Sequence, residues 1–244
     1  MTTNVYDKLS GLLTSDARWS FEDADWLVYV DDTDYDKIAF DAVLGFLFAG
    51  SILNIDVWKC WVEGGRIGPA PMGNLDGTSI IIVNMANGDV EFTSDYMLAS
   101  QANGALEALY AGSGGPFAKD CWTINRCAKT AVETAKTKDF YSGGQIKYVD
   151  RQSTDNNVSN NVAHTQVNDV CKQRGFIMDL KKQDAPMLVK DAANDPSNAV
   201  AQSIAQKVMQ GKAVMSAPFP GIRQPWTQEK KQELADVLDR FSVK

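Results

Sequence analysis

The sequence predicts an α+β fold: two stacked sheets covered by helices, followed by a helical extension at the C-terminus. Three observations carry this. Residues 112–144 read as a Gly turn, a helical run and a second Gly turn, with strand patterns on either side. Residues 9–111 read as strands, one helix and more strands, several of them apolar throughout, as strands covered on both faces are. Residues 195–241 carry two amphipathic helical patterns separated by a Pro-rich stretch.

The totals bound the function. At 244 residues the chain suits one large domain, or one domain with an appendage. A hydrophobic content of 44% and a charged content of 23% are those of a water-soluble globular protein. The net charge of −7 gives no general affinity for nucleic acid or for an anionic membrane. No stretch of some eighteen apolar residues suits a membrane span, and no basic segment followed by an apolar core marks a secretory signal. Cys60, Cys121, Cys127 and Cys171 fit no zinc spacing and are expected as buried free thiols in a reducing cytoplasm.

In the central unit, Ala118, Cys121, Ile124, Ala128, Ala131, Val132 and Ala135 recur at three- and four-residue steps, predicting one helix of about twenty-five residues. Gln145–Asp150 then alternates in period two, as a half-buried strand does. Each turn sets a serine beside glycines: Gly112-Ser113-Gly114-Gly115 and Asp139-Phe140-Tyr141-Ser142-Gly143-Gly144. Small residues let other groups approach the backbone. Two hydroxyls and a carboxylate at the ends of one helix can then meet at one site.

This pair of motifs, in this order and separation, resembles the N-terminal-nucleophile (Ntn) hydrolase family of proteasome β-subunits and HslV peptidases, as a divergent member. The resemblance implies a four-layer αββα sandwich and a threonine nucleophile at the mature N-terminus. The chain begins Met1-Thr2-Thr3. A small second residue favours removal of the initiator methionine, leaving Thr2 with a free α-amine. That amine, with an ordinary pKa near ~8, is a competent base for the residue's own hydroxyl. With Met1 retained, this mechanism is blocked.

Residues 9–15 read as a strand leading into Asp16-Ala17-Arg18, which is similar to the family's Asp-x-Arg landmark. The resemblance gives Asp16 the role of partner to the catalytic lysine; by itself it is equally a turn carboxylate. Asn4 and Asp7 make the first strand unusually polar. Residues 19–36 are acidic and aromatic around a Trp26–Val30 strand, and the carboxylates read as solvated turns. They lack the loop pattern of a calcium site. Lys37 begins a strand, turn and buried strand that end in Phe48-Ala49-Gly50. The resemblance makes Lys37 the catalytic lysine once an insertion in the acidic loop is allowed; otherwise it is a surface strand lysine. Gly50 would offer its N–H to the oxyanion, and Phe48 would line the substrate pocket.

Residues 51–64 read as a helix with Trp58 and Trp61 on its core face, ended by Gly64-Gly65. An abbreviated Gly/Pro loop follows, then the strand Thr78–Asn84, an Asn87-Gly88 turn and a return strand. Residues 152–165 read as a mobile loop holding the single histidine, His164, without a recognisable partner. Gly175–Leu180 reads as a last strand. Asp195-Pro196 reads as the start of a helix with Val200, Ile204 and Val208 on its stripe. Pro218–Pro225 reads as a linker, and Thr227 as the cap of a helix bearing Leu234, Val237, Leu238 and Phe241. The division expected is 1–180 for the Ntn-type domain and 181–244 for the extension, docked on its own domain or on a neighbouring subunit.

Functionally the resemblance implies a threonine peptidase. Thr2, Asp16, Lys37, Gly50, Ser113, Asp139 and Ser142 form the site, Phe48 the pocket, and no metal or organic cofactor is needed. A peptide or unfolded-protein substrate, a self-assembled ring, an unfoldase partner and a cytoplasmic location are the corresponding expectations. Two alternatives stand beside it: a structural or assembly protein that keeps the fold without the chemistry, and a small-molecule amidase of the same superfamily.

Overall fold

The structure, a computed structural model, describes residues 2–153, 155–182 and 184–242. It is a mixed α/β protein with two sheets and seven helices among the described residues. The first half runs β1 (Asn4–Asp7), β2 (Leu12–Asp16), β3 (Trp19–Asp23), β4 (Trp26–Val30), β5 (Ile38–Phe40), β6 (Leu44–Ser51), α1 (Ile52–Glu63), β7 (Thr78–Asn84), β8 (Val90–Thr93), β9 (Leu98–Ala102) and β10 (Ala105–Ala111). The second half runs α2 (Gly115–Asn125), α3 (Ala128–Lys136), β11 (Ile146–Asp150), α4 (Thr165–Arg174), β12 (Phe176–Asp179), β13 (Met187–Leu188), α5 (Val189–Ala192), α6 (Ala199–Met209), β14 (Ser216–Ala217) and α7 (Gln228–Arg240).

One sheet has the order β11-β2-β1-β10-β9. The other has the order β13-β12-β4-β3-β14-β6-β7-β8, with β5 also paired to β6. Strand alternation distributes the side chains. On β1, Val5 joins a core with Trp122, Ala131 and Val132 of α2 and α3, while Tyr6 faces Leu47 and Ile81 of the other sheet. On β7, Ile81 and Val83 share that inter-sheet core. Ile80 and Ile82 point oppositely, toward Trp58 of α1 and toward α6 and α7. Burial on both faces is why Thr78–Asn84 reads as a continuous apolar run. Each such Ile or Val contributes about 1.5–3 kcal/mol by leaving water.

The polar first strand is explained by its partners. Asn4 Nδ2 donates to the Phe48 carbonyl at 2.9 Å, and Asp7 Oδ2 accepts from Trp122 Nε1 at 3.0 Å. Asp7 Oδ1 also accepts from the Leu9 and Ser10 N–H groups, so residues 8–11 form the turn and β2 starts later than its pattern suggests.

Several expectations are corrected. The central helix is two helices. Arg126 takes a left-handed φ of 53°, its N–H closes on Trp122 O, and Cys127 is extended. Its guanidinium lies 4.5 Å from the Trp122 ring and pairs with Glu107, contacts that hold the unfavourable conformation. Ile124 is therefore exposed, not part of the buried face. Residues 165–174 are helical, and His164 at their start has its Nδ1 2.9 Å from Asp56 Oδ2, so it does have a partner. α6 is capped by Asn198, whose side chain accepts from Ala201 N–H, and Val200 is exposed while Ala201 and Ala205 fill its stripe. Just before the expected linker Pro218–Pro225, residues 216–217 enter the larger sheet as β14, which the sequence reading did not anticipate. None of the four cysteines is paired; Cys121 and Cys171 are buried, but Cys60 is exposed. No helix among the described residues is long and apolar enough to cross a membrane.

The last two helices pack on their own chain. Ile204 and Val208 of α6 and Leu234, Val237 and Leu238 of α7 belong to the same core as α1 and the outer face of the larger sheet. Thr227 caps α7 by accepting from Lys230 N–H, as its sequence position indicates.

Candidate active site

Thr2 and Thr3 lie just before β1, hemmed in by the second strand and by both glycine turns. The hairpin places Asn4 opposite Ser15 in β2, so Asp16 sits beside Thr3. Asp16 Oδ1 accepts a short hydrogen bond from Thr2 Oγ1, one from Thr3 N–H at 2.8 Å and one from Lys37 Nζ at 3.0 Å. Its Oδ2 accepts from Gly143 N–H at 3.0 Å and Arg18 N–H at 3.1 Å. Lys37 Nζ also donates to the Asp16 carbonyl at 2.9 Å. Thr2, Thr3, Asp16 and Lys37 are all buried, at most 1% exposed.

Burial opposes charge on both partners of the ion pair. For Asp16, the Lys37 ammonium and the hydrogen bonds from Thr2 and Thr3 outweigh that penalty, and its carboxyl is held below the usual range. For Lys37, burial wins over the attraction of Asp16, and its ammonium is pushed below its ordinary value. A carboxylate with five donors around it remains ionised, so the Thr2 hydroxyl points its proton at a fixed negative charge.

The second cluster is built by the glycine turns. Ser113 Oγ donates to Asp139 Oδ2 at 2.5 Å, and Ser142 Oγ donates to the same oxygen at 2.7 Å. With its proton committed to Asp139, Ser142 accepts from Thr3 Oγ1, 2.7 Å away. The relay therefore runs Thr3, Ser142, Asp139, with Ser113 joining from the other turn. Gly112 has φ +84°, and a Cβ there would collide with the Thr2 carbonyl. This close approach needs glycine, and it lets Gly114 N–H donate to Thr2 O at 3.3 Å.

The structure thus brings Thr2, Asp16 and Lys37 into one group and Ser113, Asp139 and Ser142 into another, joined through Thr3 and Gly143. Sequence reasoning missed Thr3. The available signal was strand alternation, which sends successive side chains of a strand to opposite faces. Arg18 was read only as part of a motif. Its guanidinium forks onto Asp31 with two 2.8 Å bonds, donates to the Phe140 carbonyl at 2.6 Å and lies 3.9 Å from the centre of the Tyr29 ring. It ties the acidic loop to the second glycine turn.

The acidic loop is not simply solvated, as expected, because its carboxylates bind neighbouring segments. Asp32 accepts from Gln145 N–H at 2.6 Å. Asp36 is buried, accepts from Ser159 N–H at 2.7 Å and lies 3.4 Å from Lys147 Nζ. Burial raises its carboxyl pKa above the usual value. Among the described residues, no group of three His, Cys, Asp or Glu is arranged to hold a metal.

Gly50, at the end of β6, has φ +122°, and a Cβ there would strike the Gly77 carbonyl. Phe48 does not face open space. It is fully buried and stacked on Phe46 with ring centres 5.9 Å apart. Met1 lies outside the described residues, and so does the state of the Thr2 amine.

No family model matches the chain, and no curated protein matches it. Among solved structures, it is similar to eukaryotic HslV from Trypanosoma brucei, at 18% identity over 55% of this chain and 97% of that one, with a TM-score of 0.29. It is also similar to Thiobacillus denitrificans BPH in complex with epoxomicin, at 15% identity over 61% of this chain and 96% of that one, with a TM-score of 0.37. Overlaps at these TM-scores do not define a shared fold or a shared chemistry.

Proposed function

We propose that this chain is a threonine peptidase of the Ntn type, with Thr2 Oγ as nucleophile. The observation that carries the reading is the buried Thr2–Asp16–Lys37 group: a hydroxyl on the second residue, oriented by a carboxylate that is itself neutralised by a lysine. An ordinary core excludes unpaired polar groups, and a hydroxyl–carboxylate–ammonium cluster with no solvent exposure is a costly arrangement to keep for packing alone. The architecture proposed with it is a four-layer αββα sandwich, residues 1–180, with residues 181–244 as an extension on the same core. The three largest hydrophobic cores and the alternation of β1, β6 and β7 between them support that layering.

In this reading Met1 is removed. The Thr2 hydroxyl turns its proton from Asp16 to the residue's own α-amine, which takes it, and Oγ attacks the peptide carbonyl to form a tetrahedral adduct. The Gly50 N–H, once freed from the strand opposite it, stabilises the oxyanion. The C–N bond then breaks, and the leaving amine takes the proton from the α-amine. Water hydrolyses the resulting ester and regenerates Thr2. Asp16 and Lys37 hold the hydroxyl and set the local charge. Ser113, Asp139 and Ser142 act as positioning residues through Thr3. The substrate class is a peptide or an unfolded protein, and a homo-oligomeric ring is the expected assembly.

The test is cleavage of short fluorogenic peptides by the wild type and by Thr2→Ala. Loss of cleavage with an unchanged circular dichroism spectrum supports the reading, and activity surviving the substitution ends it. A second reading is favoured by one observation. Thr2 has no solvent exposure, as a structural relative without chemistry would allow. It predicts that the wild type cleaves none of the peptides.

A further inference from the structure

β14 is two residues long, yet it sits in the middle of the larger sheet. Ser216 pairs with Ser20 of β3 on one side and with Ser51 of β6 on the other, and Ala217 lies opposite Gly50. Among the described residues, β3 and β6 are not bonded to each other, and the only strand between them is β14. With about 4.8 Å per strand spacing, they stand roughly 9–10 Å apart, a gap that fits one extended chain. The occupant comes from the segment joining α6 to α7, and Ser216 is 196 residues away from Ser20.

The bonds of β6 fix which edge is filled. Ser51 N–H donates to Gly77 O on the β7 side. Phe48 N–H donates to Lys37 O and Ile52 N–H donates to Met215 O, both on the opposite side. Alternation places the Gly50 N–H on that opposite edge too, facing Ala217. Around the strand, Ala213, Met215, Ala217 and Phe219 are buried, and Ser20 and Ser216 each direct a hydroxyl at the other's carbonyl, 3.5 and 3.3 Å away. Pro218 follows at once; it has no N–H and ends the ladder.

We infer that residues 213–219 are an internal occupant of a peptide groove between β3 and β6, and that an extended peptide enters by displacing them. Two unpaired strand edges facing each other across one strand's width accept a peptide by main-chain bonds, whatever its sequence. The buried Ala217 position selects a small side chain opposite Gly50. That a displacing peptide is then cleaved rests on the peptidase reading; that the groove exists and is self-occupied does not.

The experiment uses Ser216→Pro in the full chain, because proline at a half-buried position paired with a strand on each side removes a ladder N–H and disfavours the strand without opening a cavity. The probe is a fluorescent peptide with the sequence Ala213–Phe219, followed by anisotropy, with peptidase turnover measured in parallel. The expected result is binding to Ser216→Pro at least about tenfold tighter than to wild type, as follows when a mostly closed state is opened. A matching rise in turnover supports both readings. Tighter binding with no turnover supports the self-occupied groove and removes the peptidase. Equal binding by the two proteins overturns the inference, as does a measurable wild-type turnover equal to the variant's. Should Ser216→Pro fail to fold, a protease site inserted between the exposed Arg223 and Gln224 and cut after folding frees the same strand, with the same outcomes.

Discussion

Replacing Lys37 with methionine tests the core of the site. Methionine keeps most of the volume and removes the ammonium from a fully buried pair with Asp16. Breaking a buried pair by deleting one partner costs about 3–5 kcal/mol, because the other charge is left uncompensated. Asp16 keeps donors from Thr2, Thr3, Arg18 and Gly143, which support its charge and place the cost near the lower end, about 3 kcal/mol. For a chain of this size that is a fall in Tm of roughly 6–12 °C. Urea unfolding at neutral pH reads the value directly. Asp16→Asn should also destabilise, by stranding Lys37. The double variant should be less harmful than the sum of the singles by about 1–3 kcal/mol, since neither charge is then left alone. A single-variant cost below about 1 kcal/mol, the range of exposed pairs, would refute the reasoning.

Asp16 also sets the response to acid. Its folded pKa lies below the unfolded value near ~3.9. Its stabilisation is therefore complete above that value and disappears as pH falls through the lower folded one. Wild type should lose more stability than Asp16→Asn between about pH 5 and pH 2 in a urea series; parallel losses would exclude a depressed Asp16. Thr3→Val keeps the shape and deletes the hydroxyl that donates to Ser142. It should cost about 1–2 kcal/mol in unfolding and lower peptide turnover without abolishing it. A stability equal to wild type would remove Thr3 from the relay. Gly50→Ala must tolerate φ +122° and a collision with the Gly77 carbonyl, so a loss of about 2–4 kcal/mol by thermal melting is expected. A neutral effect would mean that the β6 end is not held as described.

Legibility in the sequence followed the range of the interactions. The two glycine turns, the strand after them and the Thr227-capped helix are local features, and their patterns placed them correctly. The apolar β6 and β7 were clear because both faces are buried. The split between α2 and α3 was not legible, because Arg126 is held by Glu107 and Trp122 rather than by a glycine or proline. β14 carried no pattern at all: two residues cannot show a period, and its partners lie far away in sequence. The acidic loop read as solvated because nothing local reveals that Arg18, Gln145 and Lys147 come to meet it. The candidate site was proposed from its serines and aspartates. Which threonine meets which turn depends on the register of β1 against β2 and β10, and composition does not encode that.

The account turns on Thr2 acting through its own free amine. Intact mass of the purified protein tests this most directly. It predicts a mass lower than the full sequence by one methionine residue, with Thr2 as the first residue on sequencing. A chain that still carries Met1 would contradict it.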